Sequence, residues 1–321
     1  MAQAILPNPA KYFPFEHGNY DVKPGLKRFG TDFGNGPAET HVFQLDHRFS
    51  HYRHQKQHVR SSKLHEYLLT QDYRLEVAAA ITSFVAERLA KEHPEHFQLQ
   101  ELDPRARQLD CKLTNEQLVF SADGQLDSER TICHCVPSYR CALDALACQV
   151  QEDLAVTCLQ NTDNWLSALH VCLPSHWSPR EKIGRSFAEV HQPVAGMEKI
   201  NRQQDHFVQQ MVSAETGLVR FVWGLQIGDQ LHTHPNLPED VPITFEHMFA
   251  RVERQTIWGL PHVSASLFTI RPYLLSIICI RKNPPLRRAL IGALESMSVA
   301  SRRYKGIDNW HEDFVQWLNQ C

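Results

Sequence analysis

The chain has 321 residues, with 33 Lys and Arg against 36 Asp and Glu, so its formal net charge is −3. A near-neutral balance with scattered basic residues argues against nucleic-acid binding through bulk positive charge. The longest apolar segment, Leu274–Ile280, is much shorter than the roughly 18 residues that cross a bilayer. The nine cysteines, with no secretory leader ahead of them, predict reduced thiols in a cytoplasmic protein.

The first part of the chain, residues 1–140, is predicted to be an arm followed by a mainly helical region. Residues 1 to about 40 are rich in Pro, Gly and aromatic side chains, which is typical of an extended arm lying over the body. Apolar residues recur at helical spacing from Ser61 to Glu92, and Pro94 ends the predicted helix. A turn is expected at residues 122–124.

The second part, residues 141–321, is predicted to be a sheet domain that packs with the first part as one compact unit. After a helix over residues 141–153, five segments favour strands: Leu154–Leu159, Trp165–Leu173, Leu218–Ile227, His247–Trp258 and Ala265–Ile278. Helical segments separate the second and third strands, and a helix from Pro285 to about Arg303 follows the last one. This α+β order predicts a five-stranded antiparallel sheet with helices on one side.

One predicted helix ends in a histidine, His191. Ser178 and Glu181 have the spacing of a capping box at its start, and Pro193 ends it. Its apolar stripe consists of Ile183, Phe187 and Val190. His191 extends this stripe, so its neutral imidazole could ligate haem iron. A buried core histidine bonded to a backbone carbonyl fits the same pattern.

Three predicted strands each carry an arginine: Arg220, Arg254 and Arg271. A buried guanidinium without an anionic partner is very costly. The carboxylates of a haem could supply that partner, and so could an internal acid such as Glu253. Only one face of each strand can line a pocket, and the sequence leaves open which face does so.

Two further constellations could bind metal ions. Histidines fall at helical spacing at His47, His51, His54 and His58, but interleaved basic residues favour a solvated basic face. Cysteines lie close in sequence at Cys133, Cys135, Cys141 and Cys148, but no CxxC motif occurs, so they are interpreted as buried thiols. No GxGxxG or P-loop motif is present, so another protein is expected to deliver reducing electrons.

Three motifs occur in order along the second part of the chain. They are DNWLSALHVCLPSHWSPREKIGRSFAEVHQPV at 163–194, LVRFVWG at 218–224 and FARVERQTIWGLPHVSASLFTIRPY at 249–273. Together they resemble the haem-dependent oxidative N-demethylase family, α-subunit type. The resemblance implies a PAS-like haem domain. It also implies an oxidoreductase that uses O2 to oxidise a small secondary amine, dimethylamine in the type member, to a shorter amine and formaldehyde.

The resemblance also implies roles for individual residues. His191, in EVHQPV, matches the proximal ligand of haem b. Haem-binding roles are expected for Arg220, Trp223 and Arg254. As a separate hypothesis about the reaction, Arg271, Tyr273 or Gln255 would polarise the bound oxygen and Glu253 would hold the amine cation. NADPH, FMN and an iron–sulfur centre are expected on reductase subunits, and tetrahydrofolate is expected to collect formaldehyde.

Two positions depart from the family pattern. Val222 stands where the family commonly has Asn, and a basic residue is common near Gly259. Both positions lie close to the expected pocket, so the sequence leaves the identity of the amine substrate open. The alternative function is a haem-based PAS gas or redox sensor without turnover, because a fold does not fix a function. A cofactor-free scaffold is a third interpretation.

Overall fold

The computed structural model describes residues 12–34, 38–236 and 244–320. Within the described arm, only a two-residue strand is regular, and Phe15 is completely buried. The described part of the predicted arm is thus mostly irregular and packs on the body through Phe15, while residues 1–11 and 35–37 lie outside the described ranges. None of the helices in the described ranges has the length and apolar character that a membrane crossing requires.

The first part of the chain is less helical than its sequence predicts. Its elements are β1 (Lys27–Arg28), α1 (Phe49–Tyr67), β2 (Leu68–Thr70), α2 (Leu75–Glu92), β3 (Phe97–Asp103), β4 (Ala106–Cys111), β5 (Glu116–Ser121) and α3 (Ala142–Ala147). The single helix predicted over 61–92 is wrong, because residues 68–70 leave it to pair with a strand of the main sheet. The antiparallel sheet β3-β4-β5 was not predicted, although the turn at 122–124 follows it as expected.

The second part contains all five predicted strands. Its elements are β6 (Asp153–Gln160), β7 (Asp163–His170), α4 (Pro179–Lys182), α5 (Phe187–His191), α6 (Glu198–Asn201), α7 (Gln204–Val212), β8 (Leu218–Ile227), β9 (Met248–Leu260), β10 (Ala265–Ser276), α8 (Ile277–Arg281), α9 (Pro284–Glu295), α10 (Val299–Tyr304) and α11 (His311–Asn319). The predicted closing helix is divided into α9 and α10, since Ser298 caps a new helix start.

The main sheet is antiparallel and has seven strands in the order β1-β8-β9-β10-β6-β7-β2. The predicted five strands form its centre, and β1 and β2 extend its two edges. The prediction of a five-stranded sheet with helices on one side is therefore wrong in two respects. Helix α7 packs against β9 and β6 on one face, whereas α2 and α9 contribute to the apolar clusters on the other.

Alternation along β9 divides the polar residues of the sheet between its faces. One face, termed the pocket face, carries Arg220, Val222, Arg251, Glu253 and Gln255, because Arg220 is aligned with Gln255 and Val222 with Glu253. The other, termed the arm face, carries Trp223, Arg254, Arg271 and Tyr273. Arg271 is aligned with Arg254 across the ladder between β9 and β10. Both Trp223 and Tyr273 are aligned with Val252 of β9, which lies on the same face as Arg254.

A shared hydrophobic core lies between α2 and the arm face. Val77 and Ile81 of α2 belong to the same buried cluster as Leu154 of β6 and Leu267 of β10. Residues on both sides of position 140 thus depend on one another for burial. Burial of such aliphatic side chains contributes about 1.5–3 kcal/mol each, so the two parts stabilise each other.

Gly259→Ala tests how closely α7 approaches β9. A Cβ atom there would lie 2.3 Å from the Val212 carbonyl oxygen, so the backbone would have to move. We expect the free energy of unfolding to fall by about 1–3 kcal/mol in chemical denaturation. Gly224→Ala on β8 is the matched control, because no atom of the described residues lies within 4 Å of a Cβ at that position. Equal losses in both variants would contradict the close approach.

Candidate functional site

The segment that leads to His191 is two short helices rather than the one predicted. Gly184, with φ of +75°, separates α4 from α5. The predicted capping box at Ser178 and Glu181 is wrong, because the Ser178 side chain makes no capping hydrogen bond. Ser186 and Glu189 form the capping box instead, at the start of α5. The helix ends at His191, ahead of Pro193, as expected.

Helix α5 is only one turn long, and side chains from neighbouring elements fix its first turn. The Phe187 N–H donates to Asn164 Oδ1 of β7 at 2.7 Å, and the Ala188 N–H donates to Gln204 Oε1 of α7 at 3.1 Å. The free N–H groups of a helix start are satisfied in this way by the sheet and by α7. His191 is thereby held at a fixed position beside the pocket face.

The His191 ring presents one free nitrogen. Its Nδ1 donates to the Phe187 carbonyl oxygen at 2.8 Å, and the two rings lie with their centroids 4.3 Å apart. Nε2 makes no hydrogen bond with the described residues, so the neutral ring offers its lone pair there. The pKa of His191 is lowered to about 4. Burial is the main cause, and the nearby charges of Arg220 and Lys182 act in the same direction, whereas the hydrogen bond to the Phe187 carbonyl opposes them.

Arg220 is a cation without a partner among the described residues. Its guanidinium forms no hydrogen bond or ion pair with the described residues, and its Nε atom is fully buried. Burial lowers the pKa of Arg220 to about 10, although Glu253 raises it, so the group stays charged at neutral pH. His191 and Arg220 both keep partial solvent access despite this desolvation. Both groups are therefore closely surrounded yet accessible.

Glu253 is held between two donors on its own strand. Arg251 Nε donates to one carboxylate oxygen at 3.0 Å, and Gln255 Nε2 donates to the other at 3.1 Å. Arg251 is itself fixed, because it donates to the carbonyls of Leu231 and Leu173 at 2.8 and 2.6 Å. Arg251 was not predicted as a site residue, although its place two residues before Glu253 on the same face was a usable signal.

Four of the predicted site residues lie on the arm face instead. Arg254 pairs with Glu39 and also donates to two backbone carbonyls of the arm. Arg271 pairs with Asp46 at 3.0 Å and lies over the Tyr52 ring. Burial alone would lower the pKa of Arg271, but the tyrosine and carboxyl groups around it raise this pKa above its usual value.

The two aromatic members of that set also contact residues that precede α1. The Tyr273 hydroxyl donates to the side-chain oxygen of Gln44, and the Trp223 ring packs edge-on against Phe15 at 5.1 Å. The structure thus brings His191, Arg220, Glu253 and Gln255 to one side of the sheet. It separates them from Trp223, Arg254, Arg271 and Tyr273, which lie behind it.

The two departures from the family pattern have different surroundings. Val222 is half-buried on the pocket face, aligned with Glu253. Gly259 faces the end of α7 so closely that no larger side chain fits without movement of the backbone. Val222 therefore borders the candidate site, whereas Gly259 serves the packing of α7.

The sequence of the chain matches the model of a known protein family. The model described as "Haem-dependent oxidative N-demethylase, alpha subunit-like" matches residues 37–315. The match covers all of the described helices and strands from α1 to α10 and both faces of the sheet. It confirms the resemblance predicted from the three motifs.

Methionine substitution of two arginines distinguishes the pocket face from the arm face in the ligand-free protein. Arg271→Met should lower the free energy of unfolding by about 3 kcal/mol, because Asp46 loses its partner. Arg220→Met should leave it unchanged or raise it, because an unpaired charge is replaced by an apolar chain. Chemical denaturation of both variants measures the difference. A loss in Arg220→Met as large as that in Arg271→Met would show that Arg220 already has a partner.

Proposed function

The chain belongs to the haem-dependent oxidative N-demethylase, alpha subunit-like family, and we propose that it oxidises a small secondary amine with O2, giving a shorter amine and formaldehyde. We assign the haem to the cleft between α5 and the pocket face, and the five central strands to a PAS-like haem domain. The observation that carries this proposal is the free Nε2 lone pair of a neutral His191, held beside an unpartnered Arg220.

The residues of the cleft fit a haem. A haem ligand needs a neutral imidazole whose other nitrogen is held by an acceptor, and His191 with the Phe187 carbonyl meets both requirements. The unpartnered guanidinium of Arg220 suits a haem carboxylate or another anion in the cleft. When bound, haem b supplies the iron at which O2 is bound and reduced.

Glu253 is the residue proposed to bind the amine. Arg251 and Gln255 donate to both of its oxygens, so its carboxylate is held in one orientation. A carboxylate held in this way attracts a protonated amine and places its N-methyl group in the cleft. Val222, where the family commonly has Asn, adds apolar surface next to this carboxylate and favours a small apolar substituent on the amine.

The arm-face residues are proposed to support the sheet from behind. Arg254 and Trp223 contact the arm, and Arg271 and Tyr273 contact Asp46 and Gln44 in the segment between the arm and α1. Their effect on the reaction would then pass through the position of the strands, as positioning residues.

The family description as an alpha subunit implies a complex with other subunits. We propose that the partners carry NADPH, FMN and an iron–sulfur centre and deliver electrons to this chain in the cytoplasm. Tetrahydrofolate would accept the formaldehyde. The family match gives no support to the sensor alternative.

His191→Ala should abolish stable haem binding, because the iron loses its protein ligand. The measurement is the Soret absorption of the protein after haem reconstitution and gel filtration. His206→Ala is the matched control, since His206 is exposed on the neighbouring helix α7, and it should bind haem as the native protein does. A native spectrum in His191→Ala would contradict the assignment of the ligand.

Haem affinity should be nearly independent of pH between 8 and 5.5. The folded pKa of His191, about 4, lies below the usual value, so the imidazole remains neutral throughout this range and is protonated only below it. A histidine of ordinary pKa would be about nine-tenths protonated at pH 5.5, and the affinity of the protein for haem would then fall about tenfold. Titration of the haem-free protein with ferric haem measures the change. A tenfold loss by pH 5.5 would show that His191 titrates normally.

Glu253→Gln should raise the KM for dimethylamine at least tenfold while the Soret spectrum stays native, because the amide keeps the shape but loses the charge. Formaldehyde release in oxygenated buffer with a continuously supplied electron donor is the readout, with methylamine as the second product. A fully haem-loaded native protein that releases no formaldehyde would contradict the enzymatic proposal.

A further inference from the structure

The pocket face holds one more positive charge than its own acid neutralises. Arg251 and Glu253 lie 3.0 Å apart as an ion pair, which is neutral as a whole. Arg220 lies on the same face and forms no ion pair or hydrogen bond with the described residues. A protonated amine in this cleft would therefore be attracted by Glu253 but repelled by Arg220.

Arg220 and Glu253 are close neighbours that do not contact each other. Val222 is aligned with Glu253, and Arg220 is aligned with Gln255, so Arg220 is the diagonal neighbour of Glu253 across the ladder between β8 and β9. Diagonal neighbours on one face lie about 7–8 Å apart, within reach of long side chains. A guanidinium and a carboxylate at this spacing can bind two ends of one small molecule.

Both groups also have hydrogen-bonding positions to spare. Arg251 Nε and Gln255 Nε2 each occupy one position on a different oxygen of Glu253. A carboxylate oxygen has two lone pairs, so each oxygen can accept another N–H. The Nε atom of Arg220 is fully buried and has no acceptor among the described residues. A ligand with both an ammonium and a carboxylate group would satisfy both side chains.

We propose that the substrate is an N-methyl amino acid, whose ammonium group is bound by Glu253 and whose carboxylate is bound by Arg220. This inference rests on the proposed function and names the class of its amine. A guanidinium grips a carboxylate through two parallel hydrogen bonds, so Arg220 would orient the molecule as well as bind it. Val222, aligned with Glu253, would offer apolar surface to the N-methyl group.

A haem carboxylate is the competing partner for Arg220. It would bring a second negative charge next to Glu253, and two neighbouring carboxylates repel each other. An amino acid instead brings a positive charge to Glu253 and a negative charge to Arg220. Lys182, whose positive charge also acts on His191, can meet a haem carboxylate in place of Arg220.

The reaction balances for N-methylglycine. One molecule of O2, two electrons from the proposed reductase subunits and two protons are consumed, and glycine, formaldehyde and water are formed. One C–H bond of the N-methyl group and its bond to nitrogen break, and this carbon becomes the carbonyl carbon of formaldehyde. The carboxylate takes no part in the bond changes, so its role is to position the N-methyl group.

N-methylglycine should bind at least about tenfold more tightly than N-methylglycinamide, because the amide keeps the ammonium and methyl groups but loses the charge that Arg220 recognises. Isothermal titration calorimetry of the ferric, haem-loaded protein at neutral pH measures both values of Kd. No electron donor is added, so no turnover occurs. Dimethylamine, a cation like the amide, should also bind more weakly than N-methylglycine.

Arg220→Met should raise the Kd for N-methylglycine at least about tenfold and lower that for N-methylglycinamide, because the repulsion of its ammonium group is removed. Arg220→Lys should keep part of the preference for the carboxylate, since a single charge remains. Arg202→Met is the matched control, because Arg202 is exposed at the end of α6, and its preference should be native. The Soret absorption checks that all variants are compared at equal haem loading.

The outcomes separate this inference from the proposed function. If N-methylglycine binds as expected but supplied electrons release no formaldehyde, the reaction fails and the binding site stands. If dimethylamine is demethylated while N-methylglycine binds no more tightly than its amide, the substrate class is wrong and the reaction stands. An Arg220→Met protein that loses haem but keeps the preference for the carboxylate would assign Arg220 to haem and overturn the inference.

Discussion

The hydrogen bond from His191 Nδ1 to the Phe187 carbonyl, at 2.8 Å, is the interaction on which the candidate site depends. It fixes the tautomer, so that Nε2 carries the lone pair, and it fixes the direction in which that lone pair points. The bond spans one turn of α5, so it requires that this short helix stay formed. The capping box of Ser186 and Glu189 and the side chains of Asn164 and Gln204 keep it formed.

The second constraint is the alternation of the antiparallel sheet. Because neighbouring residues of β9 point to opposite faces, Glu253 and Arg254 serve different purposes although they are adjacent in sequence. Glu253 belongs to a polar row on the pocket face, and Arg254 is bound by Glu39 of the arm. One strand thus supplies both the functional face and the surface that anchors the N-terminal arm. Changes in the arm can therefore affect the site through the strands.

Much of this architecture could be predicted from the sequence. The central strands have clear alternation or continuous apolar runs, and β8 has the predicted bounds. The helices were harder to predict because tertiary pairing overrides periodicity: residues 68–70 continue a helical pattern but pair with β7. The positive φ of Gly184 ends α4 in the middle of an apolar stripe that reads as one helix.

The face that lines the site could not be predicted. Both faces of β9 carry charged residues, and the difference lies in partners that are distant in sequence. Asp46 lies 225 residues before Arg271, and Glu39 is similarly remote from Arg254 along the chain. Periodicity identifies which residues share a face, but only the folded chain reveals which arginine lacks a partner.

Resonance Raman spectroscopy of the ferrous protein tests the central claim most directly. His191→Gly should lose the iron–imidazole stretching band, and added imidazole should restore it by occupying the space that the ring leaves. The native protein should show that band without any addition. An iron–imidazole band in His191→Gly before imidazole is added would show that another histidine ligates the iron and would contradict the role of His191 as the haem ligand.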